Sequence, residues 1–463
     1  MNARTLFVGI DWGTHSSKWW YSVEVEEQQQ GVMMQPRSLA RVVDSTIRRK
    51  GDSLLIHRER AQTECDVQDS RLKRLLLADP MGADFWKAVR EGIRVSSGEA
   101  AVLVISCMLS DVYASLANEN IQLSQSTQIE LRYSLPNWTQ DDDEHNAARK
   151  RMFQTTLVAT ALLKQKGWDA LPRIGEACDI EKWRDVIREI RESEEIKPLK
   201  RSSPKTFAEL VGREYVLGHL KWRLAAESSA AGFTSLSHML KDIPSNSDAQ
   251  KHWVKLLVVD VGAGSTDSGY FISSRERLTE RIVFNYLPPA ITLNYAGESL
   301  TEMIRDHFQR QRRVITQAEA EIMKLNAPEE WIREAFVEEW IRKIAANVAQ
   351  YIRLVPDELR LMDELLPPLK ILLTGGSGLV QGLDSAIKKH VIEALMQRGM
   401  SHVAAGRIDI ASLNSEIPDK VDAARRAVST GAAQSKFARL VYIPVFEKAI
   451  PYSRIQSNSW SGR

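Results

Sequence analysis

Three stretches of this 463-residue chain share one grammar, which constrains the fold more than any other feature. Each is a short apolar run that reaches Asp or Gly and then a turn of small residues. They are LFVGIDWGTHSSK (Leu6–Lys18), LLVVDVGAGSTD (Leu256–Asp267) and ILLTGGSG (Ile371–Gly378). Apolar, β-branched runs broken by Gly and Ser read as strands entering tight turns. The first two stretches resemble each other, and Leu6 and Leu256 are too far apart for the period of a solenoid. The spacing fits two similar lobes, each opening with a β-hairpin.

Helical patterns fill much of the rest. Ala147–Lys164 carries Met152, Leu157 and Ala161 at helical spacing, and Ser299–Arg312 and Glu329–Arg353 read the same way. Lys164–Arg213 is highly charged and carries Trp168, Trp183 and the run IREIRESEEIKPLKRSSPK. It reads as a solvated helix and linker, or as an insertion that docks a partner. Glu26–Gln30 reads as a hairpin loop, and Tyr442–Arg463, polar and Ser-rich, as a frayed tail. Lys and Arg number 62 and Asp and Glu 60, so bulk charge gives no support for nucleic-acid or membrane-surface binding. Cys65, Cys107 and Cys178 lie far apart with no CxxC, which argues against a disulfide scaffold or a zinc ribbon. No apolar run approaches the roughly 18–20 residues of a membrane span. The start, MNARTLFVGIDWG, lacks the apolar core of a signal peptide. The expectation is a soluble cytoplasmic protein with reduced thiols.

The turns suggest chemistry. Small residues let backbone N–H groups approach anionic oxygens closely without adding charge. Asp11 and Asp260 stand at the ends of the strands that enter two such turns. Magnesium keeps most of its waters and is typically held by one or two carboxylates plus phosphates. Asp267, on the return strand of the second hairpin, would orient a water or pair with a lysine. Each piece alone is weak: an Asp at a strand end is commonly a turn residue, and GGSG is commonly a plain loop. No GKS or GKT follows GGSG, so it is not a Walker A sequence. The order and spacing of all three are the specific signal.

In that order the segments resemble the two phosphate loops and the adenosine loop of the actin-like ATPase superfamily. Further stretches are similar to the nucleotide-binding domain of the seventy-kilodalton heat-shock chaperones, over about Leu6–Ala433. IELRYSLPNW (Ile129–Trp138) resembles their strand ending in Val-Pro-Ala-Tyr-Phe, and AARKRMFQTTLVATAL the helix after it. LKWRLAAESSAAGF (Leu220–Phe233) resembles the segment holding Glu-Pro-Thr-Ala-Ala-Ala, AGESLTEMIRDHF (Ala296–Phe308) the Gly-Gly-Glu-Asp-Phe-Asp helix start, and AVSTGAA (Ala427–Ala433) the closing helix. RLKRLLL (Arg71–Leu77) resembles the stretch with the family's catalytic lysine.

The resemblance implies an α/β, two-lobed actin-like ATPase (ribonuclease H-like) fold with the nucleotide in the interlobe cleft. Lobe I would span 1–255, with an outer subdomain at about 35–100 and the charged insertion at about 164–213. Lobe II would span 256–433, with an outer subdomain at about 291–366 and a last helix, 422–436, packing back toward lobe I; 434–463 would be a tail. The implied activity is slow, magnesium-dependent ATP hydrolysis, with ATP or ADP as ligand and lobe closure as a switch for a protein partner. Asp11 and Asp260 would hold magnesium through its waters. Gly13, Thr14, His15, Gly262, Ala263, Gly264, Ser265 and Thr266 would grip the phosphates. Lys73 would position the attacking water, and Glu227 and Asp267 would orient water and the metal shell. Gly297, Glu321, Lys324, Gly375, Gly376, Ser377 and Gly378 would surround the adenosine.

The chain departs from the family in places. Ala263 replaces a glycine, which requires a negative φ. Leu325 and Leu379 stand where the family places arginines beside adenine, and Arg425-Arg426 where it is acidic. No hydrophobic linker or β-sandwich peptide-binding domain follows Ala433, so a protein partner would take its place. The partner would act through lobe surfaces or the 164–213 insertion, with the chain a monomer or part of a hetero-complex. Competing readings are an actin-like filament former, a small-molecule kinase and a pseudo-ATPase that binds nucleotide only as a structural element. On the plainer readings, Lys73 lies on a solvated helix face, Glu227 is a helix cap, and Glu321–Lys324 is a surface pair.

Overall fold

The computed structural model describes the chain from residue 2 to residue 442. Outside the described residues lie 14–15, 28–29, 35–42, 59–66, 70–72, 74–75, 77–83, 88, 91, 139–141, 202, 242–251, 276–281, 326–333, 356–360, 364–366, 412, 414–418, 435–439, 443–463 and residue 1. Thr14, His15, Cys65 and nearly all of the expected tail fall there. The fold is mixed α/β. The chain divides into two units: unit 1 is Met1–Leu135, Asp141–Ala226 and Val428–Phe437; unit 2 is Pro136–Gln140, Glu227–Ala427 and Ala438–Arg463.

Unit 1 is built on a sheet of ten strands among the described residues. They are β1 (Ala3–Asp11), β2 (Ser16–Glu27), β3 (Gln30–Met34), β4 (Val43–Lys50), β5 (Ser53–Arg58), β6 (Val67–Asp69), β7 (Gln128–Leu135), β8 (Cys178–Asp179), β9 (Tyr215–Leu217) and β10 (Leu220–Ala226). The path runs β8-β5-β4-β2-β1-β7-β10-β9, with β3 on β2 and β6 on β4. β1 pairs antiparallel with β2 and parallel with β7. Glu27 pairs with Gln30 across β2 and β3, and residues 28–29 between them lie outside the described residues. Trp19 and Trp20 on β2 are both buried.

The helices of unit 1 are α1 (Asp84–Lys87), α2 (Ser97–Asn118), α3 (Asp143–Lys166), α4 (Ile180–Glu192), α5 (Ile196–Arg201) and α6 (Phe207–Gly212). α2 corrects the sequence expectation: it is long and apolar enough to cross a membrane by length and composition. Ser106, Ser110 and Asp111 interrupt its apolar run, which hid it from a count of consecutive residues. Its surface is instead covered by protein, with 83% of the apolar window buried. A capping box starts it: Ser96 Oγ accepts from Glu99 N at 3.2 Å, and Glu99 Oε2 accepts from Ser96 N at 2.7 Å.

The charged insertion is not a linker. Ile180, Ile187 and Ile190 of α4 and Ile196 of α5 are buried, and α4 and α5 pack on α3. Arg188 donates to the buried Glu99 carboxylate at 2.7 Å, and Arg191 lies over the Trp86 ring. β8 carries Cys178 to the buried Cys107 of α2, far from it in sequence. Both thiols are free; Cys178 Sγ donates to Glu176 O at 3.8 Å, and burial pushes the Cys107 thiol up.

Unit 2 has a six-stranded sheet among the described residues, ordered β15-β14-β11-β12-β13-β16. The strands are β11 (His252–Val261), β12 (Thr266–Arg275), β13 (Ile282–Leu293), β14 (Leu369–Thr374), β15 (Asp409–Ala411) and β16 (Leu440–Tyr442). Its helices are α7 (Glu227–Lys241), α8 (Gly297–Arg310), α9 (Gln317–Leu325), α10 (Ala335–Leu354), α11 (Leu383–Gln397) and α12 (His402–Gly406). A last helix, α13 (Lys420–Ala433), begins in unit 2 and ends among residues assigned to unit 1.

β11 is buried on both faces, which is why its apolar run is continuous rather than alternating. Leu257, Val259 and Val261 join the cluster built with α8, α10 and α11. Val258 meets α7 at Gly232, where an added Cβ would come 2.7 Å from its Cγ2. α7 packs on β11 and β12, and the boundary between the two units falls at Ala226–Glu227.

In unit 1, Leu6, Val8 and Ile10 are fully buried, and the intervening Gly9 meets the end of α13. A Cβ on Gly9 would lie 2.1 Å from Ser429 O and 2.7 Å from Ala433 N, so only glycine lets the helix backbone this close. Arg132, fully buried on β7, donates to Ala432 O at 2.7 Å and to Gln434 O, placing a cation where the helix ends. Glu130 accepts from its Nε at 2.7 Å.

Gly9→Ala should therefore destabilise the protein by about 1–3 kcal/mol, because two backbone atoms must move. Gly406, with nothing within 4 Å of an added Cβ, is the control. Gly406→Ala should stay within about 0.5 kcal/mol of wild type. Urea unfolding of both variants checks the pair; equal effects would contradict the packing of Gly9.

Candidate functional site

In unit 1 the first turn is closed by its own strands. Asp11 and Lys18 are directly opposed across β1 and β2, and Lys18 Nζ lies 3.3 Å from Asp11 Oδ2. Ser134 Oγ donates to Asp11 Oδ1 at 3.0 Å. Asp11 is thus buried but compensated. Gly13 is required by crowding: an added Cβ would stand 2.1 Å from Ser16 O and 3.0 Å from Lys18 Nζ. Ser45 on β4 braces the turn by donating to Gly13 O at 2.8 Å. Lys73 lies in a turn, with Leu76 N donating to Lys73 O at 3.2 Å, and is buried rather than on a solvated helix face.

In unit 2 the second turn follows the same plan. Gly262 N donates to Ser265 O at 2.9 Å, closing a four-residue turn between β11 and β12. Ala263 is not among the positive-φ residues, so its side chain adds no backbone strain, and Ala263 and Gly264 stand half-buried at the tip. Asp260 is buried, and its Oδ1 accepts from Thr374 Oγ1 at 2.8 Å, in register on β14. Thr266 Oγ1 donates to Tyr295 O at 2.9 Å.

Asp267 faces Asp260 across the hairpin and is fully buried. It accepts from Asn137 N at 2.8 Å, Thr292 Oγ1 at 2.6 Å and Ser265 Oγ at 2.8 Å. No lysine pairs with it among these contacts; it is a staple for the hairpin. Burial raises its carboxyl above the ordinary range, opposed by these donors.

The residues expected around the adenosine converge on the second hairpin. Gly297 N donates to Gly262 O at 3.0 Å, and Glu298 N to Ala263 O at 2.7 Å, so the start of α8 is capped by hairpin carbonyls. Ser377 N donates to Val261 O at 3.0 Å. Two glycines permit this approach. A Cβ on Gly297 would meet Ser377 Oγ at 1.9 Å, and one on Gly375, at φ +81, would meet Val261 O at 2.3 Å. Gly376 is half-buried, while Ser377 and Gly378 are buried.

Glu321 and Lys324 are close to this cluster and are not a simple surface pair. Lys324 Nζ is buried and donates to Gly297 O at 3.2 Å and Thr301 Oγ1 at 3.2 Å, with Glu321 Oε2 at 2.6 Å. Burial lowers its pKa, and Glu321 partly restores it. Glu227 is buried at the first position of α7.

Sequence reasoning missed Lys18, Ser134, Thr292 and Thr374. Lys18 was findable, since a short turn after Asp11 places it opposite that carboxylate. The others come from strands distant in sequence. Among the described residues, no three His, Cys, Asp or Glu side chains converge as a metal cage. The donors present are single carboxylates beside small-residue turns, a set that fits a hydrated magnesium ion sharing phosphate oxygens rather than a caged metal.

The chain matches no protein-family model. No curated protein matches it significantly in sequence.

Asp267 allows a pH test. A folded-state pKa above the unfolded one means that its contribution is complete below the unfolded value and is lost as pH rises. Asp267→Asn cannot ionise. Relative to wild type, it should gain stability as pH is raised from about 4 to about 8. Urea unfolding across that range reads the difference, and a difference independent of pH would contradict the assignment.

Proposed function

We propose that the chain is a two-lobed, actin-like nucleotide-binding protein of the heat-shock-chaperone type. On this reading it hydrolyses ATP slowly with magnesium and uses its nucleotide state as a switch for a protein partner. The observation that carries the reading is the convergence of three sequence-distant segments in unit 2. The Asp260 hairpin, the glycine that opens α8 and the Gly375–Gly378 loop are locked together by backbone hydrogen bonds of 2.7–3.0 Å. The lock commits the amides of Gly262, Gly297, Glu298 and Ser377 to protein carbonyls, and so holds Asp260 and the Ala263–Gly264 tip in one frame where a phosphate and its hydrated metal would meet them.

The proposed roles follow from the side chains. Asp260 and Asp11 would share one hydrated magnesium, and Gly13, Ala263 and Gly264 would offer backbone to the phosphates. Lys18, already beside Asp11, would add positive charge near the phosphates. Lys73 would orient water, Glu227 would act with it, and Gly297, Glu321 and Lys324 would take the ribose side. Magnesium, when bound, supplies charge neutralisation on the phosphate oxygens. The proposed setting is the cytoplasm, as a monomer or in a hetero-complex, without nucleic acid or membrane. The partner would meet the exposed side of α4, because the buried side belongs to the core of unit 1.

A second reading, binding without turnover, is favoured by Asp267. Three protein donors occupy its carboxylate, which leaves little capacity to orient a water.

Purified protein should hydrolyse ATP only with magnesium. Turnover should fall roughly tenfold or more in Lys73→Ala and in Asp260→Ala. Tight ATP binding without turnover in wild type would favour the second reading. Wild-type turnover in both variants would remove the site assignment.

A further inference from the structure

What aims Gly297, the residue assigned to the ribose side, is a question that rests on the nucleotide reading. Ala296, the N-cap of α8, makes no side-chain cap. Its main chain is held from other elements instead. Trp340 of α10 is fully buried and donates from Nε1 to Ala296 O at 2.9 Å. That carbonyl and the Gly297 N–H belong to one planar peptide unit and point to opposite sides of it. The N–H donates to Gly262 O at 3.0 Å. One peptide plane is therefore gripped at both poles, by the second hairpin through its N–H and by α10 through its carbonyl.

A second residue of α10 grips the same entry. Lys343 lies over the Tyr295 ring, with Nζ 5.3 Å from the ring centroid. Residues three apart share a helix face, so one face of α10 holds two successive residues at the start of α8. Trp340 stands on the buried stripe of α10 with Val337, Ile341 and Ile344. Any large apolar side chain would fill that stripe; the indole adds a donor. Turning the Ala296–Gly297 peptide would take the Gly297 amide off Gly262 O. It would also disturb Gly297, whose own carbonyl accepts from Lys324 Nζ at 3.2 Å and Thr301 Oγ1 at 3.0 Å.

We propose that Trp340 is a positioning residue of the nucleotide site. Its indole N–H fixes the Ala296–Gly297 peptide, and through it sets Gly297 and Lys324 where they would meet the ribose. It acts through backbone, and the phosphates stay with the hairpin residues.

Calorimetric titration of magnesium–ATP and of magnesium–tripolyphosphate, which lacks ribose and base, reads the split. Trp340→Phe keeps an aromatic ring and removes the donor. It should weaken magnesium–ATP roughly two- to tenfold and leave magnesium–tripolyphosphate unchanged. Trp222→Phe is the control for loss of a buried indole, because Trp222 Nε1 has no hydrogen-bond acceptor among the described residues. It should leave both affinities at wild type. In Trp340→Phe, amide hydrogen exchange should quicken at 296–299 while the rest of α10 keeps its protection. Unchanged ATP affinity, equal losses for both ligands, the same loss in Trp222→Phe or unchanged exchange at 296–299 would overturn the role of Trp340 and leave the nucleotide site standing. Should Trp340→Phe not fold, wild-type protein labelled at its indole nitrogens keeps the test. Magnesium–ATP should then shift an indole N–H resonance that magnesium–tripolyphosphate leaves in place, and the lack of any such resonance would overturn the role. Wild-type protein that binds neither ligand would overturn the nucleotide reading and this inference with it.

Discussion

The backbone hydrogen bonds from Gly297, Glu298 and Ser377 to carbonyls of residues 261–263 are the constraint on which the candidate site depends. They tie a helix start, a hairpin and a loop from three parts of the sequence into one patch. Main chain can come this close only where side chains are missing, and Gly297 and Gly375 supply those positions. The lock also fills polar groups that a helix start and a loop would otherwise leave unsatisfied in a buried place. Asp260 is held within this frame by Thr374 on the neighbouring strand.

The two hairpins use the same topology but different electrostatics. At the first, Asp11 faces Lys18, so charge is balanced inside the hairpin. At the second, Asp260 faces Asp267 across the ladder. Two carboxylates opposed this closely are tolerable because burial raises Asp267 toward its neutral form and three donors stabilise what charge remains. The buried Asp267 carboxyl, raised by burial, gives the second hairpin a contribution that is lost as pH rises.

Much of this was legible in the chain. The strand–turn segments were visible because β11 is apolar on both faces and ends abruptly at Asp260 and glycine. The helix at 297–310 carries clear periodicity, whereas the one at 143–166 is buried over most of its circumference and shows little. Three features were not legible, for physical reasons. α2 hid its length because serines and an aspartate interrupt its apolar run, although packing buries them too. The charged 164–213 segment looked solvated because its many charges masked the four isoleucines that dock α4 and α5 on unit 1. Contacts across long sequence separations, such as Arg132 with Ala432 or Trp340 with Ala296, leave no local pattern at all.

The central proposal is that Asp11 and Asp260 would serve one magnesium–nucleotide. A double-mutant cycle on magnesium–ATP affinity with Asp11→Asn and Asp260→Asn tests it most directly. A shared ion predicts that each substitution weakens binding and that the double variant departs from the sum by about 0.5–3 kcal/mol. Additive losses, or a wild-type protein with no magnesium-dependent ATP affinity, would contradict it.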